Sequence, residues 1–538
     1  MKSRSVLLYL LAILSLAPGF VAQTDAPNSL APFRFSEATI DQLQEQMAAG
    51  KLTARALTAA YLDRIARIDR AGPTLNAVIE LNPDALEIAA QLDAERKAGK
   101  VRGPLHGIPV LIKDNIGTAD RMETTAGSLA LIGAKPPRDA FLVTRLREAG
   151  AVILGKTNLS EWANFRSANS TSGWSGRGGQ THNPYALDRN PSGSSSGPAV
   201  ACAANLCVVA VGTETDGSVV SPSAHCSIVG MKPTVGLVSR TGIIPISVAQ
   251  DTAGPMARTV RDAAILLGVL AGSDSRDAAT QIRPVDLPRD FAAAMKPGAL
   301  KGARIGILHG PFGFQPRMEG VLGQAGAVLR AGGAEVIDLG ELPSIKELTD
   351  REQELLLYEF KDGINTWFAS LGPAAPVKSL AELMAFNETH GAQEMPFFGQ
   401  DLLVQAQAKG PLTEPAYLDA RAACLRISRT EGIDALMEKH KLDAIVSLTS
   451  GPAWLTDPVN GDFFSGESST LAAVAGYPSV TVPAAEVHGL PIGLSFTGRA
   501  WSEAELLSLA ADFETHTHAR REPRFLPSIE SDAASVSP

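Results

Sequence analysis

Three short segments contain residue types that together could hydrolyse a substrate. The segment Gly212-Thr-Glu-Thr-Asp-Gly-Ser218 ends in a serine, Gly193-Ser-Ser-Ser-Gly197 contains Ser194, and an apolar run over 107–112 leads to Lys113. A serine hydroxyl is a weak nucleophile that needs a base, and a lysine amine is a base only when it is neutral. Because burial disfavours the ammonium form, these segments predict a serine nucleophile whose base is a lysine rather than a histidine.

The loop before the last serine could also stabilise negative charge. Backbone N–H groups in small-residue loops can converge on the oxyanion that develops when a carbonyl is attacked. Thr215, Asp216, Gly217 and Ser218 could supply several such groups. The alternative is a solvated Ser/Gly linker, but linkers rarely lie between a buried strand and a small-residue helix.

Two other interpretations compete at these segments. Lys113 could pair with its neighbour Asp114 at the strand end and have only a structural role. The residues 193–197 also match the pattern G-x-S-x-G, which would make Ser195 an esterase nucleophile. That motif requires a strand just before it, whereas residues 183–191 contain two prolines and are typical of a loop.

The histidines and cysteines give no stronger site. We expect His182 and His225 to be ordinary hydrogen-bonding residues. The four cysteines are Cys202, Cys207, Cys226 and Cys424. An even count permits a disulfide, but three of the four lie in small-residue core segments and favour buried free thiols. Their spacing does not resemble a zinc site, and we expect no metal and no cofactor.

Helical and strand patterns alternate around these segments. Apolar spacing predicts helices over 36–70, 83–98, 141–149, 198–207, 257–272 and much of 345–440, and a last helix that opens with a Ser502/Glu505 capping box. Strands are predicted up to Lys113 and at 151–154, 304–308, 334–338, 444–446, 479–482 and 492–496. Residues 304–338 have a βαβ pattern, and 166–197 form a long polar loop. The alternation favours an α/β class, with one α/β/α domain over 30–527 and a frayed tail over 528–538.

The composition limits the class of partner. The chain has 538 residues, 45% of them hydrophobic and 20% charged, so it can bury a large core. The net charge of −9 without a long basic stripe argues against nucleic-acid binding.

The first residues have the pattern of an export signal. Lys2 and Arg4 precede an apolar run over 6–16, and small residues follow near Ala22 and Ala26. We therefore expect a signal peptide over 1–22, a periplasmic or secreted mature protein, and no other contact with membrane. An uncleaved membrane anchor is the alternative.

The motifs as a set resemble the amidase signature family. Its lysine motif is similar to residues 107–114, its Gly-Ser-Ser-Gly loop to 192–197, and its nucleophile loop to 212–218. Further similar segments follow at 230–236, 242–245, 251–256, 475–483 and 489–493. The resemblance spans about 36–515, is weakest over roughly 300–440, and is specific because several long motifs occur in the right order.

The resemblance implies particular roles and a fold. It implies Ser218 as nucleophile, Ser194 as relay serine with a cis Gly193–Ser194 bond, and Lys113 as base. It implies an oxyanion hole built from the N–H groups of Thr215, Asp216, Gly217 and Ser218. The fold it implies is a single amidase-signature domain whose mixed central sheet is covered by helices.

Two departures from the family pattern concern the substrate. Many members have Gly-Gly-Ser followed two positions later by Arg, where this chain has Asp216-Gly217-Ser218 and Val220. An acidic residue at position 216 is similar to the pattern of the peptide amidase branch of the family. Because the arginine is missing, the resemblance does not support the substrate preferences of the branches that have it.

The function implied is an exported amide hydrolase that forms an acyl-enzyme and releases ammonia or an amine from a carboxamide. Peptide C-terminal amides are the nearest suggestion, with fatty and aryl amides open, and the oligomeric state is undetermined. The alternatives are an amidotransferase subunit that works with a partner chain and a silent binding protein. The export signal argues against the first, and the intact Lys113, Ser194 and Ser218 argue against the second.

Overall fold

The computed structural model describes residues 32–310, 316–342 and 344–529. The expected signal peptide over 1–22 lies outside the described residues, as does most of the expected tail over 528–538. In the short N-terminal unit, Met1–Ser36, the described residues include Phe33 and Phe35, whose rings meet edge to face at 5.9 Å. Glu37–Pro538 forms one compact unit.

In the described part of the chain, eleven strands form one mixed sheet, and two short strands form a separate ribbon. In chain order the strands are β1 Val78–Leu81, β2 Pro109–Lys113, β3 Val152–Thr157, β4 Trp174–Ser175, β5 Gly179–Gln180, β6 Val209–Glu214, β7 Val229–Lys232, β8 Thr252–Ala257, β9 Arg304–His309, β10 Glu335–Glu341, β11 Ala444–Leu448, β12 Ser479–Val487 and β13 Leu490–Thr497. The order in the large sheet is β1-β3-β2-β6-β8-β7-β12-β13-β11-β9-β10. Parallel and antiparallel pairs both occur, which confirms the predicted α/β class with a mixed sheet.

Helices cover the sheet. They are α1 Ile40–Ala48, α2 Ala54–Arg64, α3 Ala85–Lys97, α4 Phe141–Glu148, α5 Ser196–Ala203, α6 Val220–His225, α7 Val260–Leu270, α8 Phe291–Ala294, α9 Pro316–Ala331, α10 Ile345–Ser370, α11 Leu380–Thr389, α12 Gly391–Glu394, α13 Asp401–Gln407, α14 Pro415–Leu425, α15 Asp434–His440, α16 Thr470–Ala475 and α17 Glu503–Thr517.

The central strands are buried along their whole length because both faces of the sheet are covered. Every residue of β2, β3 and β6 is buried, as the continuous apolar runs of these strands require. The helix α5 is also buried at every position. Most residues of α5 are glycine, alanine or serine. Because these residues are small, the helix can lie close to the sheet. Lys113 ends β2, the Ser218 loop follows β6, and the Ser194 loop precedes α5. The packing of these three elements therefore brings the lysine and both serine loops together.

The second half of the chain confirms the predicted βαβ unit and helical insert. The strands β9 and β10 pair in parallel and are joined by α9. The 26-residue helix α10 packs against α14, with Leu355, Phe360 and Ile364 in the apolar cluster between the insert and the sheet. This insert lies near the carboxyl end of the central strand β6.

Some predicted local features were wrong. The Ser502 side chain does not cap α17: its Oγ donates to the Arg499 carbonyl at 2.7 Å, because Ser502 has a backbone conformation unlike that of an N-cap. The predicted helix over 198–207 ends at Ala203, and the polar loop over 166–197 contains the β4–β5 ribbon. The four cysteines are buried free thiols, as favoured from the sequence.

Candidate active site

Lys113, the last residue of β2, extends its amine towards both serine-containing segments. Its Nζ lies 2.8 Å from Ser194 Oγ, 2.9 Å from Thr213 Oγ1 and 3.2 Å from the Thr213 carbonyl oxygen. Asn115 Nδ2 donates to the same Thr213 hydroxyl at 2.9 Å. The amine is therefore held by three polar atoms and is completely buried.

Burial controls the charge of this amine. It lowers the pKa of Lys113 to about 7, although the carboxylates of Asp251 and Glu214 act in the opposite direction. The Asp114 carboxylate faces elsewhere: it accepts a hydrogen bond from Thr125 Oγ1 and lies 3.5 Å from Arg177. The alternative interpretation, in which Lys113 pairs with Asp114, is wrong.

The relay loop precedes α5. The Gly193–Ser194 bond is cis, as the family resemblance implied. The side chain of the neighbouring Ser195 makes two hydrogen bonds to the Thr213 backbone. Its Oγ donates to the Thr213 carbonyl at 3.0 Å and accepts from the Thr213 N–H at 3.2 Å. No strand runs directly into this loop among the described residues, so the geometry of an esterase nucleophile elbow at Ser195 is absent there.

Ser218 follows the sharp turn after β6. Gly217 has a φ of +74°, a conformation that favours glycine. The Ser195 N–H donates to the Ser218 carbonyl at 3.0 Å, which joins the two serine loops. In the described chain, the N–H groups of 215–218 donate to no protein acceptor. Their role as an oxyanion hole stays a prediction.

A cavity of about 720 Å³ opens onto this turn. Gly193, Thr215, Asp216 and Ser218 are among its lining residues. The lining also includes apolar residues from the helical insert and the loop after β11, namely Leu356, Leu402, Trp454 and Phe464. The structure thus places the predicted residues next to one another, with Lys113 and Ser194 buried, although no hydrogen bond joins the Ser218 and Ser194 hydroxyl groups within the described chain.

Sequence reasoning missed several residues of this site. Thr213 and Asn115 hold the lysine amine, but neither has a distinctive sequence pattern beyond its closeness to the motifs. Glu352 and Glu467 line the cavity from the helical insert and from the loop before α16. No local signal could have found them, because they are far from the motifs along the chain.

The histidines have structural roles, as predicted. The ring nitrogen Nδ1 of His225 lies 2.8 Å from the Ser221 carbonyl, and burial lowers the pKa of His225 to about 4. His182 Nδ1 lies 3.0 Å from the Leu187 carbonyl. No cluster of three or more His, Cys, Asp or Glu side chains suited to a metal occurs within 32–310, 316–342 and 344–529. The same residues include no helix long and apolar enough to cross a membrane.

Comparison with known proteins agrees with the fold. Residues 56–507 match the family model described as Amidase. The chain belongs to the amidase family and is an amide-hydrolysing enzyme.

Individual relatives lie on more than one branch of the family. A peptide amidase solved in complex with the competitive inhibitor chymostatin is 55% identical, with a TM-score of 0.89 over 91% of this chain and 100% of that one. A probable amidase of Arabidopsis thaliana is 41% identical over 97% of each chain. A glutamyl-tRNA(Gln) amidotransferase subunit of Thermosynechococcus vestitus is 35% identical over 89% of this chain and 98% of its own length.

Proposed function

We propose that this chain is an exported amidase that hydrolyses primary carboxamides, C-terminal peptide amides in particular, through a Ser218–Ser194–Lys113 relay. The observation that carries the proposal is the buried Lys113 amine 2.8 Å from Ser194 Oγ, beneath a cavity that Ser218 lines. Similarity to a peptide amidase supports the substrate class, and the basic and apolar pattern of residues 2–16 supports export.

The relay begins with a neutral amine. Its two N–H bonds donate to the carbonyl and hydroxyl oxygens of Thr213, and its lone pair faces Ser194. Ser218 Oγ attacks the amide carbon as its proton passes to Ser194, whose own proton passes to Lys113. The N–H groups of 215–218 stabilise the oxyanion.

Collapse of the tetrahedral intermediate breaks the C–N bond. The proton held by Lys113 returns through Ser194 to the leaving nitrogen, so ammonia departs and Ser218 keeps the acyl group. A water molecule then attacks the ester, its proton taking the same route to Lys113. When the C–O bond breaks, Ser218 regains a proton and the carboxylic acid is released.

The test is ammonia release from an N-acetyl dipeptide amide by the purified chain without residues 1–22. Ser218→Ala should lower kcat by at least about 10⁴-fold because the acyl-enzyme cannot form. Activity of the isolated chain also excludes a role that depends on an amidotransferase partner.

Ser195→Ala is the matched control. It removes a neighbouring hydroxyl that hydrogen-bonds Thr213, and it should keep most of the activity. If a serine-directed covalent probe labelled Ser195 rather than Ser218, the assignment of the nucleophile would be wrong.

A further inference from the structure

All the charged residues that line the catalytic cavity within the described chain are acidic: Asp216, Glu352, Asp462 and Glu467. Asp462 belongs to the framework, because it accepts hydrogen bonds from Trp454 Nε1 at 3.0 Å and from the Ser172 N–H at 2.9 Å. The other three form what we call the acidic wall. A cleft lined by one sign of charge concentrates its electric field on the ligand.

The acidic wall adjoins the loop of the nucleophile. Asp216 accepts hydrogen bonds from Ser469 Oγ at 2.6 Å and Thr470 Oγ1 at 2.7 Å, which fixes both of its carboxylate oxygens. A Cβ atom at Gly217 would collide with Glu467 Oε2, so this carboxylate lies directly against the turn. Any substrate held at Ser218 therefore lies close to the acidic wall.

Two buried acceptor atoms close to the acidic wall have no hydrogen-bond partner. Gln250 is 1% exposed and donates through Nε2 to Glu352 Oε1 at 2.7 Å and to the Thr215 carbonyl at 3.3 Å, both on residues that line the cavity. Its Oε1 is buried without a partner, as is Oε1 of Glu214. Unpaired buried acceptors are costly, but neither residue lines the cavity, so the acceptors that face a ligand there are the carboxyl oxygens of the acidic wall.

Within the described residues, no Lys or Arg side chain lines the cavity. Lys232 is a buried cation near this region, and it lowers the pKa values of Glu214 and Asp216 against the larger effect of burial. It does not line the cavity, and its Nζ donates to the Pro233 carbonyl at 3.1 Å. Burial, and then the nearby Asp216 charge, raise the pKa values of Glu352 and Glu467 well above their ordinary range.

We propose, building on the proposed function, that the acidic wall selects amides with an ammonium or guanidinium group close to the scissile carboxamide. Such a cation brings several N–H donors to the carboxyl groups that line the cavity, and it offsets the repulsion among these three groups. A carboxylate at the same position of the substrate would add to that repulsion. The wall is thus a specificity determinant and takes no part in proton transfer.

Three substrates of similar size test the selection: the α-amides of N-acetylarginine, N-acetylcitrulline and N-acetylglutamate. Citrulline has the shape of arginine without its charge. We expect kcat/KM to be about tenfold higher for the arginine amide than for the citrulline amide, and lowest for the glutamate amide. Equal values for the arginine and citrulline amides would overturn the proposal.

Two acidic-wall variants test whether these carboxyl groups cause the preference for the arginine amide. Glu467→Gln and Glu352→Gln should each bring the arginine-to-citrulline ratio closer to one. The control Glu388→Gln changes an exposed residue of α11. It should leave kcat/KM for the arginine amide and for the citrulline amide as in the unmodified chain. A ratio unchanged in both acidic-wall variants would show that these carboxyl groups do not select the substrate.

Binding to the Ser218→Ala variant separates this proposal from the proposed function, because it needs no turnover. In calorimetry, the arginine amide should bind about tenfold more tightly than the citrulline amide. It should also release protons to the buffer, since a bound cation favours ionised Glu352 and Glu467. Equal affinities would contradict the acidic-wall proposal even if the relay is right, whereas selective binding by an enzyme without Ser218-dependent activity would contradict only the relay.

Discussion

At the residue scale, the burial of Lys113 determines the pH at which its amine can act as a base. With its pKa lowered to about 7, the amine is mostly protonated in weak acid and mostly neutral in weak base. The carboxylates of Asp251 and Glu214 prevent the pKa from falling further. In the proposed relay, this pKa lies near the pH at which a general base is most useful.

The first prediction concerns this lysine. Because only the neutral amine can accept the proton, kcat/KM for amide hydrolysis should rise with pH through a limb centred near 7. Lys113→Ala should lower the rate by at least about 10⁴-fold, close to the loss for Ser218→Ala, because relay residues act as a unit. The measurement is the pH–rate profile of ammonia release together with single-turnover rates.

Lys113→Arg separates charge from proton transfer. A guanidinium remains charged at every accessible pH, so this variant should be as inactive as Lys113→Ala. If it kept near-normal activity while His225→Ala abolished activity, the base would be a histidine.

At the element scale, β8 is the strand that joins the catalytic half of the sheet to the rest. It pairs with β6, which leads into the Ser218 turn, and with β7 on its other side. Gly254 lies in β8 against the Met231 backbone, and a Cβ there would overlap the Met231 carbonyl oxygen. The close approach of these two backbones therefore requires glycine.

Gly254→Ala should lower the free energy of unfolding by about 1–3 kcal/mol, because the neighbouring backbone must shift to admit a methyl group. The shift also reaches the end of β6, so activity should fall with stability. Denaturant titration measures the first effect and ammonia release the second.

Gly323→Ala is the matched control on α9. A Cβ there meets nothing within 4 Å, and alanine favours the helix over glycine by up to about 1 kcal/mol. Stability should therefore rise slightly. A Gly254→Ala variant as stable as the unmodified chain would contradict the proposed role of the close contact.

At the scale of the whole molecule, the expected export signal precedes the amidase fold. We expect the mature chain to begin between about Gln23 and Pro27 and to be found outside the cytoplasm, because Lys2 and Arg4 precede a short apolar run. N-terminal sequencing of the protein from each cell fraction measures both the first residue of the mature chain and its location. An intact Met1 on soluble cytoplasmic protein would show that the segment is not an export signal.

The sequence by itself determined the parts of this enzyme that are local along the chain. Lys113, Ser194 and Ser218 could be singled out because each ends or occupies a short segment with a distinctive pattern. The α/β class and the buried strand before Lys113 followed from apolar runs, since a strand covered on both faces must be apolar throughout. The capping box at Ser502 shows the limit of this reasoning, because spacing alone does not fix the backbone conformation that a cap needs.

The tertiary structure alone decided which distant residues meet. It places Thr213 beside the lysine amine, directs Asp114 away from it, and brings Glu352 and Glu467 from the helical insert and a late loop to the turn before Ser218. Side chains so far apart along the chain carry no local pattern, because their positions depend on how α10 and the loop before α16 pack over the sheet. The residues of the proposed relay can therefore be singled out from the sequence, whereas the acidic wall is created by long-range packing.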